Sequence, residues 1–240
     1  MSSPPKQQRG PWGDGPRPSR EEMERRTEET SALCVEYVKA HAERGSPASV
    51  LQTIEEFTKT HHMMNIGPFK GAVIDTEIRK KQPLIMAELG GFTGYSAVRF
   101  ASVQRDAAGD NKSHYYSFEF NPTFAERIRE IVDFAGLADQ VTVIVGAFAD
   151  NYHELDGKTV DIYFIDHAKE AYLSDAKLIF ESGTLAPGSI LAADNVVRPG
   201  APDYLEFIEN HSKFTTTRHD VPMGWSEYIV PDLSIATYLG

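Results

Sequence analysis

Read for the alternation of apolar and polar positions, the chain has a helical front followed by repeating strand–helix units. From Arg20 the pattern is helical. A second helix starts at Ser46–Pro47, where serine is a good N-cap and proline suits the first helical position. Its apolar residues Val50, Leu51, Ile54 and Phe57 share one face. From Pro83 onward short apolar runs alternate with helical stretches. LIMAEL ends at a glycine cluster, and GYSAVRFASV behind it reads as a helix. HYYSFEF is strand-like and stops at Asn121–Pro122, an N-cap and first helical residue. Phe124, Ile128, Ile131, Val132 and Ala135 then line one helical face. VTVIV, a short helix, DIYFID, a helix over Tyr172–Glu181 and SILAAD follow. Strand followed by helix, five times over, predicts an α/β fold with a parallel sheet covered on both faces. After a helix near Asp203–Glu209 come the strand-like KFTTTRH and two β-rich segments, SEYIV and SIATYL, which predict a closing antiparallel pair.

Composition sets bounds on this picture. Residues 1–19 are rich in Pro, Gly and Arg with almost nothing apolar, which predicts a disordered N-terminal tail. Residues 20–240 are expected to form a single domain. With 41% hydrophobic and 25% charged residues, a core of normal size needs no disulfide or structural metal. The one cysteine, Cys34, lies in a helical stretch and is expected to be a packed apolar residue in a reducing compartment. No run approaches the roughly 20 apolar residues that span a bilayer, and the N-terminus lacks the apolar run of a signal peptide. A cytoplasmic monomer without membrane partners is expected. The net charge of -11 repels phosphate backbones, and no Lys/Arg stripe overrides it, so nucleic acid is excluded as a partner.

In an open parallel sheet the ligand sits at the carboxyl ends of the strands. Those ends are Glu88–Gly91, Glu119, Gly146–Ala147, Asp166–His167 and Asp194–Asn195, and four of the five carry an acid. The glycines of ELGGFTGYS allow close backbone approach ahead of a helix N-terminus, although a tight strand-to-helix turn asks for glycine equally. Neither the GxGxxG spacing nor the GK[ST] of a phosphate loop is present. Glu119, ending the second strand, stands where nucleotide-type folds place a ribose-binding acid. Asp166, Asp194 and Asn195 are hard oxygen ligands, which suit Mg²⁺ and not zinc. The alternative is that Asp194–Asn195 merely starts a turn. Lys169, three residues after Asp166, can act as a base near neutral pH if it sits beside a bound cation.

Taken together, these segments resemble the catechol O-methyltransferase family from about Ala32 to the C-terminus. The resemblance is carried by MNIGPFKG (64–71), ELGGFTGYSAVR (88–99), EFNP (119–122), DFAGLADQVTVIVGA (133–147), FIDHAKEAYL (164–173), LAADNVVRPGAPDYL (191–205) and SEY (226–228). It implies a Rossmann-like, seven-stranded, mostly parallel sheet with helices on both faces and an antiparallel C-terminal strand pair. It also implies S-adenosylmethionine, Mg²⁺ and a small catechol or related vicinal diol as acceptor.

Position by position, the resemblance makes Asp166, Asp194 and Asn195 the metal ligands and Lys169 the base, with Glu227 holding the neighbouring hydroxyl. Glu119 would bind the ribose. Gly90, Phe92 and Ser96 would hold the methionine end, with Met64, Asn65 and Ile66 beside it. Phe120 would lie against the adenine, with Ala147, Phe148 and His167 near. Tyr95 would help bind the sulfonium, and Glu88, Gly146 and Asp166 complete the cofactor side. Asn195, Pro199 and His62 would join Lys169 and Glu227 at the acceptor.

The chain departs from the family at several of these places. His62 and Ala168 stand where the family usually has tryptophans that wall the acceptor pocket, which opens it to a larger acceptor. Phe148–Ala149 replaces a Ser-Gln pair beside the adenine. Arg198 at the rim could favour an acidic acceptor, or be a solvated charge. A different class of protein, one that binds the cofactor without catalysis, is argued against by the retained catalytic set.

Overall fold

The structure, a computed structural model, describes residues 18–109, 112–222 and 229–240. Most of the expected tail, and Glu227 with the rest of the SEY motif, lie outside the described residues.

Three helices, α1 (Arg20–His41), α2 (Pro47–Thr58) and α3 (Gly67–Lys81), precede the first strand. The alternating part follows as β1 (Ile85–Leu89), α4 (Tyr95–Ala108), β2 (His114–Glu119), α5 (Pro122–Phe134), β3 (Val141–Val145), α6 (Phe148–Asn151), β4 (Ile162–Ile165), α7 (Tyr172–Glu181) and β5 (Ile190–Ala193). The chain closes with α8 (Pro202–Asn210), β6 (Phe214–Pro222) and β7 (Ile229–Tyr238).

Local chemistry sets the helix starts. The Ser19 hydroxyl accepts from the Glu22 N–H, the Ser46 hydroxyl from the Ser49 N–H, and Asn121 Oδ1 from the Thr123 N–H. The apolar pattern does not single out α3. Its buried face carries Gly71 and Asp75 beside Ile74 and Ile78, which breaks the periodicity. Asp75 is tolerated there because Arg99 of α4 reaches its carboxylate at 2.7 Å.

The seven strands form one sheet in the order β3-β2-β1-β4-β5-β7-β6. β1 to β5 pair in parallel, and β7 runs antiparallel between β5 and β6. The sequence-predicted pair is thus KFTTTRH with the C-terminal strand. The described parts of SEYIV and SIATYL belong to a single strand that runs through Pro231–Asp232.

Successive strand residues point to opposite faces, so the sheet has a core on each side. Met86, Ile162 and Phe164 join the helices α1 to α5 on one side. Ala87, Leu89, Tyr163 and Ile165 pack with Tyr172, Ile179, Tyr204 and Ile208 on the other. Cys34 is buried in the first core, and burial pushes its thiol up to about 12. Among the described residues no helix is long and apolar enough to cross a membrane.

Candidate active site

The chain leaves β1 in one direction to build β2 and β3, and returns on the other side of β1 to build β4 and β5. This switch opens a crevice above the carboxyl ends of β1 and β4, where open α/β sheets bind ligands. The turn after β1 is close-packed there. Gly90 has φ +95°, and a Cβ on it would lie 2.6 Å from the Asp166 carbonyl oxygen. Only glycine fits that conformation and that approach.

Glu119, at the end of β2, holds this turn. Its Oε2 accepts the N–H groups of Gly91 (3.2 Å) and Phe92 (2.8 Å), and its Oε1 accepts the Asn121 N–H (2.8 Å). Phe92 is fixed in the left-handed region, φ 49°, by that clamp. Burial raises the Glu119 carboxyl and the three backbone donors pull it back. A carboxylate has about four lone-pair sites, so Oε1 retains capacity for a further hydroxyl.

Glu88 behaves differently. It is fully buried, with Oε2 accepting from the Tyr115 hydroxyl (2.9 Å) and Oε1 from Ser117 (2.5 Å). Burial pushes its carboxyl up to about 7. Tyr95 is also buried, its hydroxyl donating to Glu55 (2.6 Å) and accepting from Arg99 (3.0 Å). Among the buried side-chain polar atoms of the described residues that have no hydrogen-bond partner are Asn65 Nδ2, Thr93 Oγ1 and His167 Nδ1. Nε2 of His167 faces Asp175 Oδ2 at 2.8 Å. If that nitrogen carries the proton, Nδ1 is left as an acceptor.

The ends of β4 and β5 carry the second half of the site. Lys169 Nζ donates to Asp166 Oδ1 (3.1 Å) and to the Tyr172 hydroxyl, and lies 4.5 Å from the Tyr172 ring centre. The Tyr172 hydroxyl faces the carbonyls of Ile165 and Asp194, both at 2.9 Å, and so ties the two strand ends together. With its amide oriented so that the oxygen faces Lys70, the assignment that gives both amide atoms a partner, Asn195 donates to Asp166 Oδ1 (3.1 Å) and accepts from Lys70 Nζ (2.9 Å). Lys70, in the first turn of α3, also donates to Asp194 Oδ1 (2.6 Å) and Asp232 Oδ2 (2.8 Å). Burial and the nearby Asp194 charge raise the Asp166 carboxyl, and burial raises that of Asp194, with the two lysines opposing.

Asp166, Asp194, Asn195 and Lys169 are thus brought together as expected from sequence, while Lys70, Tyr172 and Asp232 were not foreseen. The register of β7 against β5 places Asp232 there. Ser234 pairs with Ala193 across the antiparallel β5–β7 ladder, so the residue two before Ser234 stands beside the position two after Ala193. Burial would raise the Asp232 carboxyl, but Lys70 and the N–H groups of Arg198 and Val197 outweigh it and hold it below the usual range.

This geometry coincides with sequence relationships. The methyltransferase domain family matches residues 87–196. Catechol O-methyltransferase of Bos taurus is 37% identical over 211 residues, 86% of this chain and 75% of that protein. The chain belongs to the catechol O-methyltransferase family. A probable O-methyltransferase of Mycobacterium tuberculosis is 36% identical over 221 residues, covering 87% of this chain and 92% of its own. The fold is shared with the Bacillus cereus O-methyltransferase solved with SAH, at TM-score 0.65, 17% identity and coverage of 88% and 91%. It is shared too with the Streptomyces achromogenes O-methyltransferase of tomaymycin synthesis solved with SAM, at TM-score 0.66, 20% identity and coverage of 89% and 99%.

Against the family pattern, the remaining expected positions fall into three groups. Met64 (56% exposed) and Phe120 (76% exposed) are open, as are His62, Ala168 and Pro199. Ile66, Ser96 and Phe148 are buried, and Phe148 packs edge-on against Phe118 at 5.0 Å in the core. Ala147 caps α6, and its carbonyl accepts from Asn151 (2.8 Å) across the tight Gly146 turn. Glu227 lies outside the described residues. A cavity of about 440 Å³ opens beside Lys169, lined by Leu173, Lys177, Ala201, Asp203 and Tyr204 among others.

Proposed function

We propose that this protein transfers a methyl group from S-adenosylmethionine to one hydroxyl of a catechol-type vicinal diol, with Mg²⁺ as the metal, in the cytoplasm. The observation that carries the reading is the convergence of Lys169, Asp166, Asp194 and Asn195 on one point above β4 and β5. The residues present fit both groups. For the metal, two carboxylates and a carboxamide offer hard oxygen donors, and the Lys70 ammonium already lies among them as a stand-in cation. For the cofactor, the unpartnered Thr93 and His167 atoms offer polar groups around the Gly90 turn and Asn65 Nδ2 a further one, with Glu119 placed for hydroxyls.

When bound, S-adenosylmethionine supplies the methyl group and Mg²⁺ the charge that favours an ionised acceptor oxygen. Lys169, in its neutral amine form, would take the acceptor proton at Nζ. Tyr172 and Asp166 fix that nitrogen so that it meets the hydroxyl without a search through rotamers. Asp194 and Asn195 would hold the metal with Asp166, and Glu227 is the expected partner of the second hydroxyl.

A second acceptor class is favoured by a specific observation. His62 and Ala168 are exposed and wall off little, and the hollow beside Lys169 has room for the remainder of a larger diol. The test is incubation with labelled S-adenosylmethionine and a panel of simple and larger catechols, with Mg²⁺ or with EDTA. Methylated product by mass that vanishes in EDTA is the expected result. Product formed equally in EDTA would sink the metal part of the reading, and kcat/KM across the panel ranks the two acceptor classes.

A further inference from the structure

We propose that Lys70 is an internal counter-cation for the divalent-metal seat, one that holds Asp194 and Asn195 when no metal is bound, leaves them when a metal enters, and is then retained by Asp232. The proposal rests on the magnesium reading above.

The starting observation is what Lys70 touches. An ammonium has three protons to donate, and three acceptors meet them: Asp194 Oδ1 at 2.6 Å, Asp232 Oδ2 at 2.8 Å and the Asn195 amide oxygen at 2.9 Å. Two of these belong to the proposed metal ligands. The third comes from β7, outside the strand ends that form the metal seat.

Burial explains why a cation is needed. Asp194 is 2% exposed and Asp232 1% exposed. A buried carboxylate without a partner is strongly disfavoured, so the metal-free protein requires a resident positive charge. Asp232 explains where that charge can go. Its Oδ1 accepts the N–H groups of Val197 and Arg198, both at 2.9 Å, so this carboxylate is held by backbone whatever Lys70 does. A lysine stem with four rotatable bonds can release Asp194 while keeping Asp232. A divalent ion and an ammonium competing for the same oxygen repel each other, so Lys70 lowers metal affinity and Asp232 limits that penalty.

The test is Mn²⁺ binding to the full chain, followed by electron paramagnetic resonance without acceptor, together with thermal melting with and without Mn²⁺. Lys70→Gln is expected to bind Mn²⁺ about tenfold more tightly than wild type, because a nearby positive charge is gone. Its metal-free form is expected to melt lower than wild type and to recover more on Mn²⁺ addition. Asp232→Asn is expected to weaken Mn²⁺ binding about tenfold in wild type and to have no effect in the Lys70→Gln background, since Asp232 acts through Lys70. Equal or weaker Mn²⁺ binding by Lys70→Gln would overturn this proposal alone. An Asp232→Asn effect that persists without Lys70 would overturn the retention step. No Mn²⁺ uptake by any of these proteins would overturn the metal reading itself.

Discussion

The two halves of the site solve the same electrostatic problem in different ways. Each half places two acids at strand ends, three of them buried and Asp166 half-buried. Above β1 and β2, Glu88 and Glu119 are satisfied by neutral donors: hydroxyls of Tyr115 and Ser117 for one, backbone N–H groups for the other. Above β4 and β5, Asp166 and Asp194 are satisfied by the ammonium groups of Lys169 and Lys70. The difference teaches what each half awaits. Acids capped by neutral donors keep a fixed frame around a hydroxyl-bearing ligand. Acids capped by lysine ammonium groups are drawn toward the charged form that a metal requires, against the burial that opposes it, and can exchange one cation for another.

The largest effect is expected where this contrast is sharpest. Asp194→Ala removes a metal ligand and one of the acceptors of Lys70, and methyl transfer measured with labelled S-adenosylmethionine should fall by at least about 10³-fold. Cofactor affinity by calorimetry should hardly change, because the β1–β2 half is untouched. Turnover within tenfold of wild type would break the division of labour between the halves.

The next effect tests the proton acceptor. Lys169→Ala should lower kcat roughly 10²–10⁴-fold, the range of a general base, with little change in Mn²⁺ affinity. Lys169→Arg keeps a positive charge beside Asp166 but cannot accept a proton, so it should not rescue kcat. Rescue by arginine would reduce Lys169 to a charge partner of Asp166 and leave the base unassigned.

Which parts of this contrast could be read from sequence follows from how local each one is. The five parallel strands are legible because strands buried on both faces read as short apolar runs that stop at glycine or an acid. Asp166 and Lys169 are legible because three residues separate them within one strand-end loop. Lys70 and Asp232 are not, because their contact joins residues 162 apart and depends on how β7 is registered against β5. The helix that carries Lys70 is itself hidden, since its buried face holds Gly71 and Asp75 and makes sense only once Arg99 lies across it. The burial of Glu88 was equally illegible. A strand-end acid looks the same in sequence whether it faces the crevice or, as here, the hydroxyls of Tyr115 and Ser117 on β2.

That last point gives the smallest and cleanest test. Burial raises the folded-state carboxyl of Glu88 to about 7, from an ordinary value of 4.5 in the unfolded chain. The native state therefore favours the neutral acid. The stability this contributes is fully present below about pH 4.5 and is lost as the pH rises to about 7, because the unfolded chain ionises over that window first. At about 1.4 kcal/mol for each tenfold difference in proton affinity, the loss is on the order of 3 kcal/mol. Glu88→Gln keeps an acceptor for Tyr115 and an amide for Ser117 but cannot ionise. The difference in melting temperature between variant and wild type should move in the variant's favour between about pH 4.5 and 7, then level off. All other titrating groups are common to both proteins and cancel in that difference. A difference that stays flat with pH would mean that Tyr115 and Ser117 suffice to hold Glu88 ionised. The cofactor half would then hold two ionised acids, and the contrast between the halves would rest on their donors alone.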